Sequence, residues 1–104
     1  MVALVTCGSR DEARKIAEAL VVNRLAACVN LLPKVESCYR WKGEVHWDPE
    51  FLLIIKTTAK SLDKVRDTVL EKHSYDLPEF IAFRIDDGSD TYLEWLRDSI
   101  GPLN

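Results

Sequence analysis

The chain has 104 residues, of which 47% are hydrophobic and 30% charged, and its formal charge is −3. This length fits one compact domain, and so much hydrophobic material excludes a disordered protein. The 14 basic residues are scattered rather than clustered, which argues against a nucleic-acid-binding surface. The longest apolar runs, such as FLLII at 51–55, are too short for a membrane-spanning helix. We therefore expect a single domain over residues 1–104 that binds neither nucleic acid nor membrane.

The cysteines indicate a reducing compartment. Cys7, Cys28 and Cys38 lie 21 and 10 residues apart, which fits neither a disulfide framework nor a Cys-x-x-Cys motif. The first ten residues, MVALVTCGSR, lack the basic start and the long apolar run of a signal peptide. We expect free thiols and a cytoplasmic location.

The first third of the chain predicts a strand, a helix and a second strand. VALVTC at 2–7 is a short apolar run of the kind that forms a buried strand. Ser9 and Glu12 have the spacing of a capping box, and the apolar residues after them recur at helical steps. A helix is predicted over about 10–24, and the apolar run at 27–32 predicts the next strand.

A β-hairpin is predicted where VESCYRWKGEVHW, residues 35–47, alternates about the pair Lys42-Gly43. Two registers are possible. A two-residue loop pairs Trp41 with Glu44 and divides the aromatic residues between the two faces, whereas a three-residue loop pairs Trp41 with Val45 and gathers them on one face.

The rest of the chain continues the alternation of strands and helices. The patterns predict a turn at Asp48-Pro49, a strand over 51–58 and a helix opened by Ser61 with Asp63. A strand over 80–85 and a final helix capped by Ser89 or Asp90 follow. The order is that of an α+β, ferredoxin-like split β-α-β fold (βαββαβ) with a C-terminal helix and a long central hairpin.

The strands also predict an assembly. In this fold two helices cover one face of the sheet, yet VALV, FLLII and FIAF are apolar at successive positions, which indicates burial of both faces. The second face therefore needs cover from another chain or from the third helix. The hairpin aromatics likewise need a surface to pack on, so we predict a closed homo-oligomer.

Five segments together resemble the CutA divalent-cation-tolerance family: RLAACVN at 24–30, YRWKGEV at 39–45, IIKTT at 54–58, HSYDLPEFIA at 73–82 and YLEWL at 92–96. The resemblance implies a ferredoxin-like protomer assembled into a homotrimer, related in architecture to the PII signalling proteins. It also implies a role in tolerance of copper and other divalent cations, without an established catalytic reaction.

The resemblance implies metal ligands at Cys7, His73 and Glu79. A thiolate, an imidazole and a carboxylate suit copper or zinc better than magnesium or calcium. A structural interpretation stands beside this one: His73 ends a helix, where a cation interacts well with the helix dipole, and Pro78 fixes the exit of the chain. The turn is then a structural corner, or half of a ligand site that a neighbouring subunit completes.

The alternative function is PII-like binding of a small-molecule effector between subunits, in a cleft lined by Lys56, His73, Tyr75 and Glu79. Lys56 ends an apolar run, so we expect it to meet a carboxylate or an anionic ligand. No Ser-His-acid set or phosphate-binding loop is present in the sequence, and we expect a protein that is not an enzyme.

Overall fold

The computed structural model describes residues 1–101, so the last three positions of the expected domain lie outside the described residues. The elements are β1 (Val2–Cys7), α1 (Arg10–Val22), β2 (Cys28–Trp41), β3 (Glu44–Lys56), α2 (Leu62–Lys72), β4 (Ile81–Phe83) and α3 (Asp90–Ser99). The four strands form one antiparallel sheet in the order β2-β3-β1-β4. This order confirms the predicted ferredoxin-like fold with a C-terminal helix and a long hairpin.

Helix α1 begins as its capping signal predicts and ends slightly early. The Ser9 hydroxyl accepts a hydrogen bond of 3.2 Å from the Glu12 N–H, which is one half of a capping box. The helix ends at Val22 rather than near 24, because Asn23 caps it through Ala19 O and Arg24 takes a left-handed conformation with φ of 59°. None of the helices within residues 1–101 has the length and hydrophobicity to cross a bilayer.

The core lies between the two long helices and one face of the sheet. Successive side chains of a strand point to opposite faces, and the fully buried positions of β1 and β3 alternate accordingly. The buried core residues are Ala3, Val5 and Cys7 of β1, Leu53 and Ile55 of β3, Ala13, Ile16 and Leu20 of α1, Val65 and Val69 of α2, and Leu25 and Ala26 between α1 and β2. Leu70 of α2 is 46% exposed, because it lies about 100° around the helix from the buried Val69.

The opposite face of the sheet is apolar and open. The register places Leu4 of β1 between Ile54 of β3 and Ile81 of β4 on this face. Helix α3 does not cover it fully: the C-terminal end of α3 docks at Arg24, and Ile81 and Phe83 remain 54% and 50% exposed. The apolar runs predicted burial of this second face, and the protomer by itself covers the face only partly.

The hairpin adopts the tighter of the two registers. Lys42 and Gly43 form a two-residue loop, and both have positive φ, 51° and 80°, as a type I′ turn requires. Trp41 therefore pairs with Glu44. Alternation then divides the aromatics between two faces: Tyr39 and Trp41 on one, Val45 and Trp47 on the other.

Prolines lie within both strands of the hairpin. Pro33 falls in β2 at a register shift between Leu32 and Val35. The prediction of a turn at Asp48-Pro49 is wrong, since Pro49 lies within β3 and pairs with Glu36. Proline is compatible with a strand there because β1 ends opposite Phe51, so this part of β3 has no strand on its other side.

Candidate metal centre and the adjoining cleft

Three potential metal ligands converge where β1 ends. The Cys7 thiol, a Glu12 carboxylate oxygen and a His73 ring nitrogen all lie within 4.8 Å of one another. They come from the last residue of β1, the first turn of α1 and the C-cap of α2. Cys7 and the His73 side chain are fully buried, whereas the Glu12 side chain is 17% exposed. Of the three side chains, only that of Glu12 meets solvent.

The hydrogen bonds of His73 determine which ring nitrogen faces the cluster. Nε2 lies 2.7 Å from Thr6 O, and a carbonyl oxygen only accepts, so Nε2 carries the hydrogen. Nδ1 accepts a hydrogen bond of 3.1 Å from the Tyr75 N–H. Nδ1 also lies 3.1 Å from the Glu12 carboxylate, and because an imidazole nitrogen has one lone pair, a metal bound by Nδ1 would take the place of the hydrogen bond from the Tyr75 N–H.

The Glu12 carboxylate reaches away from its own helix to the turn that follows α2. Its Oε1 lies 3.1 Å from His73 Nδ1 and accepts a hydrogen bond of 3.2 Å from the Ser74 N–H. Glu12 thus joins the start of α1 to the corner after α2, beside the buried thiol.

Cys7 is a protonated thiol at neutral pH. Burial raises its pKa to about 12, and the negative charges of Glu12 and Glu50 contribute in the same direction. Because metals bind the thiolate, a metal that binds Cys7 near pH 7 must displace one proton.

Tyr75 lies next to the cluster and passes the end of β1 at Gly8. Its ring centroid is 4.7 Å from that of His73, and its hydroxyl donates a hydrogen bond of 2.9 Å to Glu50. A Cβ at Gly8 would lie only 2.8 Å from the Tyr75 hydroxyl oxygen, so glycine is needed for this close approach. Burial and the bond to Glu50 raise the pKa of Tyr75, which keeps the hydroxyl a donor.

Beyond Tyr75 lies a cleft of about 650 Å³ between the hairpin and residues 75–79. Glu50 and Glu79 both line it, and Glu50 is only 7% exposed. Burial, and then the charge of Glu50, raise the pKa of Glu79. Glu79 therefore belongs to the cleft, together with Tyr75, rather than to the group of atoms around His73.

The structure brings together two of the three metal ligands implied by the sequence resemblance. Cys7 and His73 are adjacent, and the carboxylate beside them is that of Glu12, to which the sequence assigned only helix capping. Glu79 as a ligand stays a prediction that depends on a neighbouring subunit. The sequence places Glu12 in the helical turn that follows β1, but nothing in it indicates the contact with His73.

Lys56 lies apart from the other residues predicted to line an effector cleft. It pairs with Val2 at one end of β1, whereas His73 contacts Thr6 near the other end. Its ammonium donates a hydrogen bond to the Asn30 side-chain oxygen, an amide rather than the expected carboxylate or anion. Within one protomer, Lys56 cannot join Tyr75 and Glu79 in one cleft, because β1 separates them along its length.

The sequence profile described as CutA1 divalent ion tolerance protein matches residues 1–99. The chain belongs to the CutA1 family. The divalent-cation tolerance protein CutA of Thermus thermophilus is 48% identical over 100 residues, which cover 96% of this chain and 97% of that protein. Its solved structure superimposes with a TM-score of 0.93, and the CutA1 structure from Oryza sativa, 42% identical over 97% of this chain and 93% of its own, has the same score.

CutA proteins of eukaryotes match over the same region but are longer. The chloroplastic protein CutA of Arabidopsis thaliana is 48% identical over 95% of this chain, and human protein CutA is 43% identical over 91%. The chain spans 54% and 53% of these two relatives, about half of each. The similarity therefore covers the domain described above, and the relatives' additional segments have no counterpart in it.

Replacing Glu79 by Gln should stabilise this CutA1 chain at neutral pH. The folded state raises the pKa of Glu79 above its ordinary 4.5, so the folded protein binds the proton more tightly than the unfolded protein. Stability from this group is present at low pH and is lost as the pH rises through the folded pKa. We expect the E79Q variant to melt at a higher temperature at pH 7, by a few degrees at most, because solvent screens the charge of this exposed side chain.

The same variant should show no gain near pH 4, where the wild-type carboxyl is mostly protonated. Thermal unfolding followed by circular dichroism at both pH values measures the difference. An equal effect at pH 4 and pH 7 would mean that the ionisation of Glu79 is not its cause.

Proposed function

We propose that this divalent-cation tolerance protein binds copper or another divalent metal as a cytoplasmic homotrimer, in support of metal homeostasis and without catalysing a reaction. The observation that carries the proposal is the buried pair of Cys7 and His73 at the end of β1. A thiol and an imidazole within one small cluster are ligands suited to copper and zinc.

The setting of His73 supports a metal-binding role. Histidines that bind metals commonly donate their second ring N–H to a carbonyl or carboxylate, which fixes the orientation of the ring. Here Thr6 O accepts from Nε2, and Nδ1 faces the thiol and carboxylate.

The trimer is proposed from the surfaces that the protomer leaves uncovered. The second face of the sheet carries Ile81 and Phe83 half exposed, and the hairpin carries Trp47 at 69% exposure. A closed assembly of identical chains covers such surfaces without creating new edges.

The proposed cytoplasmic location and the absence of catalysis have separate support. Cys7, Cys28 and Cys38 are all free thiols, which is typical of a reducing compartment. The raised pKa of the Cys7 thiol argues against a nucleophilic cysteine, because the thiolate is the nucleophile.

Native mass spectrometry of protein purified without a metal-affinity tag tests the proposal. We expect a trimer that takes up Zn(II) and Cu(II) stoichiometrically and does not take up Mg(II). Replacing Cys7 by Ser or His73 by Ala should weaken binding at least tenfold, about 1.4 kcal/mol, because each change removes a donor. Unchanged affinity in both variants would remove these ligands from the proposal.

The cleft favours one alternative function. Its volume suits a small molecule. Two of the residues expected to bind an effector, Tyr75 and Glu79, line it. If the trimer forms but takes up neither Zn(II) nor Cu(II), we propose PII-like effector binding in this cleft instead. A monomer would contradict the assembly on which both functions depend.

A further inference from the structure

We propose that Glu12, rather than Glu79, is the carboxylate ligand of the metal, so that one protomer supplies Cys7, Glu12 and His73 from within itself. The inference rests on the metal binding proposed above and adds the identity of the third donor. It makes the centre internal to each subunit, where the sequence resemblance had pointed to Glu79.

The first reason is the direction in which the Glu12 side chain points. In a complete capping box, the glutamate at this position returns to the N–H of the capping serine. Ser9 and Glu12 form only the other half, and the Glu12 carboxylate instead accepts from the Ser74 N–H and lies beside His73. The Glu12 carboxylate therefore lies next to the His73 imidazole instead of capping its own helix.

The second reason is electrostatic. His73 Nδ1 accepts from the Tyr75 N–H, and 3.1 Å away the Glu12 Oε1 is also an acceptor. At this distance the contact is favourable only with a proton or a metal ion between the two atoms, and a proton would make it a histidine–glutamate ion pair. A metal ion held by both atoms, and by the Cys7 sulfur, would take the place of that proton.

The third reason is the spacing of the donors. Bonds of about 2.0–2.3 Å in a tetrahedral zinc site place the ligand atoms about 3.3–3.8 Å apart. The three donor atoms here lie within 4.8 Å of one another, and Nδ1 and Oε1 are already 3.1 Å apart, so the widest pair needs to close by only about an ångström. Glu12 has a flexible side chain at the open side of the cluster, where a water molecule can supply the fourth ligand.

Glu79 is poorly placed for the same role within the protomer. The Tyr75 ring packs on His73, and its hydroxyl continues to Glu50, which lines the cleft with Glu79. Cys7 points to the helix-covered face of the sheet, and its partner in β3 is Phe51. Glu50 is the residue before Phe51, so its side chain points to the opposite face. Glu79 therefore lies on the far side of Tyr75 from His73, in the cleft that Glu50 also lines.

Zn(II) affinities of the wild-type chain and of two matched variants, E12Q and E79Q, test the inference. Each variant exchanges a carboxylate for an amide of the same shape, and the new amide of E12Q keeps an oxygen to accept from the Ser74 N–H. Competition with a chromophoric chelator measures affinity. We expect E12Q to weaken Zn(II) binding at least tenfold and E79Q to change it less than twofold.

Thermal unfolding with and without Zn(II) supplies a second readout and checks that E12Q is folded. Zn(II) should raise the unfolding temperature of the wild type and E79Q, and raise that of E12Q far less. A tenfold loss in E79Q with E12Q unaffected overturns the inference and leaves metal binding intact, as does wild-type affinity in both variants. A wild-type chain that binds no Zn(II) or Cu(II) overturns the proposed function and this inference with it.

Discussion

Cys7 should react with a disulfide reagent such as DTNB at least about 30-fold more slowly in the folded protein than in the unfolded one. Raising the thiol pKa from 9.0 to about 12 lowers the thiolate fraction near pH 7.5 about a thousandfold. A more basic thiolate is a better nucleophile, with a Brønsted coefficient of about 0.4–0.5, and this returns part of the rate. The net slowing from ionisation alone is roughly 30–60-fold, before any restriction of access.

The measurement needs Cys7 as the single thiol, in a variant that carries Ser at positions 28 and 38. The same variant in a denaturant provides the unfolded rate, and far-UV circular dichroism checks the folded state. Bound Zn(II) would slow the reaction further by occupying the sulfur. A folded rate within a few-fold of the unfolded rate would show that the Cys7 thiol is accessible and ionises normally.

Truncating Ile55 to Ala should destabilise the fold by about 2–5 kcal/mol, the range found for such truncations in well-packed cores. Ile55 is 0% exposed, and it lies on the helix-covered face between Ala3 and Val29. The unfolding midpoint in urea should fall, while the size of the assembly measured by sedimentation should not change. Its neighbour Ile54 offers a matched control, since it is the same side chain on the opposite face of the same strand.

The expected result for Ile54→Ala is different. If identical chains cover the second face, this truncation weakens their association, so the assembly should dissociate at higher protein concentrations than the wild type. The midpoint of its unfolding should then depend on protein concentration more than that of Ile55→Ala. An Ile54→Ala variant that assembles like the wild type would show that this face is not an interface between copies.

The fold was predictable because its signals are local. Strand and helix periods, the Ser9 cap and the Lys42-Gly43 loop each depend on neighbouring residues, and each predicted its element. The prediction at Pro49 was wrong because a proline, which lacks an N–H, can lie within a strand wherever no further strand pairs with that side. The end of β1 decides where that is the case, and the local sequence does not show it. Hairpin register was open for a similar reason, since the loop length had to be chosen before the pairing was known.

The candidate site was only half predictable. Cys7 and His73 carry side chains whose chemistry suggests metal binding wherever they occur. Glu12 and Glu50 do not, since an acidic residue in a first helical turn or in a strand usually needs no special explanation. Only the approach of α1 to the end of α2 shows that Glu12 contacts His73. Likewise, only the passage of Tyr75 over Gly8 shows that Glu50 is buried and accepts a hydrogen bond from the Tyr75 hydroxyl.

The prolines of the hairpin have a further consequence for the protein at high concentration. A long two-stranded ribbon offers its outer N–H and C=O groups to any other chain that can add a strand, and repeated addition leads to fibrils. Pro33 and the positive φ of Lys34 interrupt the free edge of β2, and Pro49 interrupts the part of β3 that extends past β1. The ribbon is therefore a poor template for cross-β growth, although it is long and rich in aromatic residues.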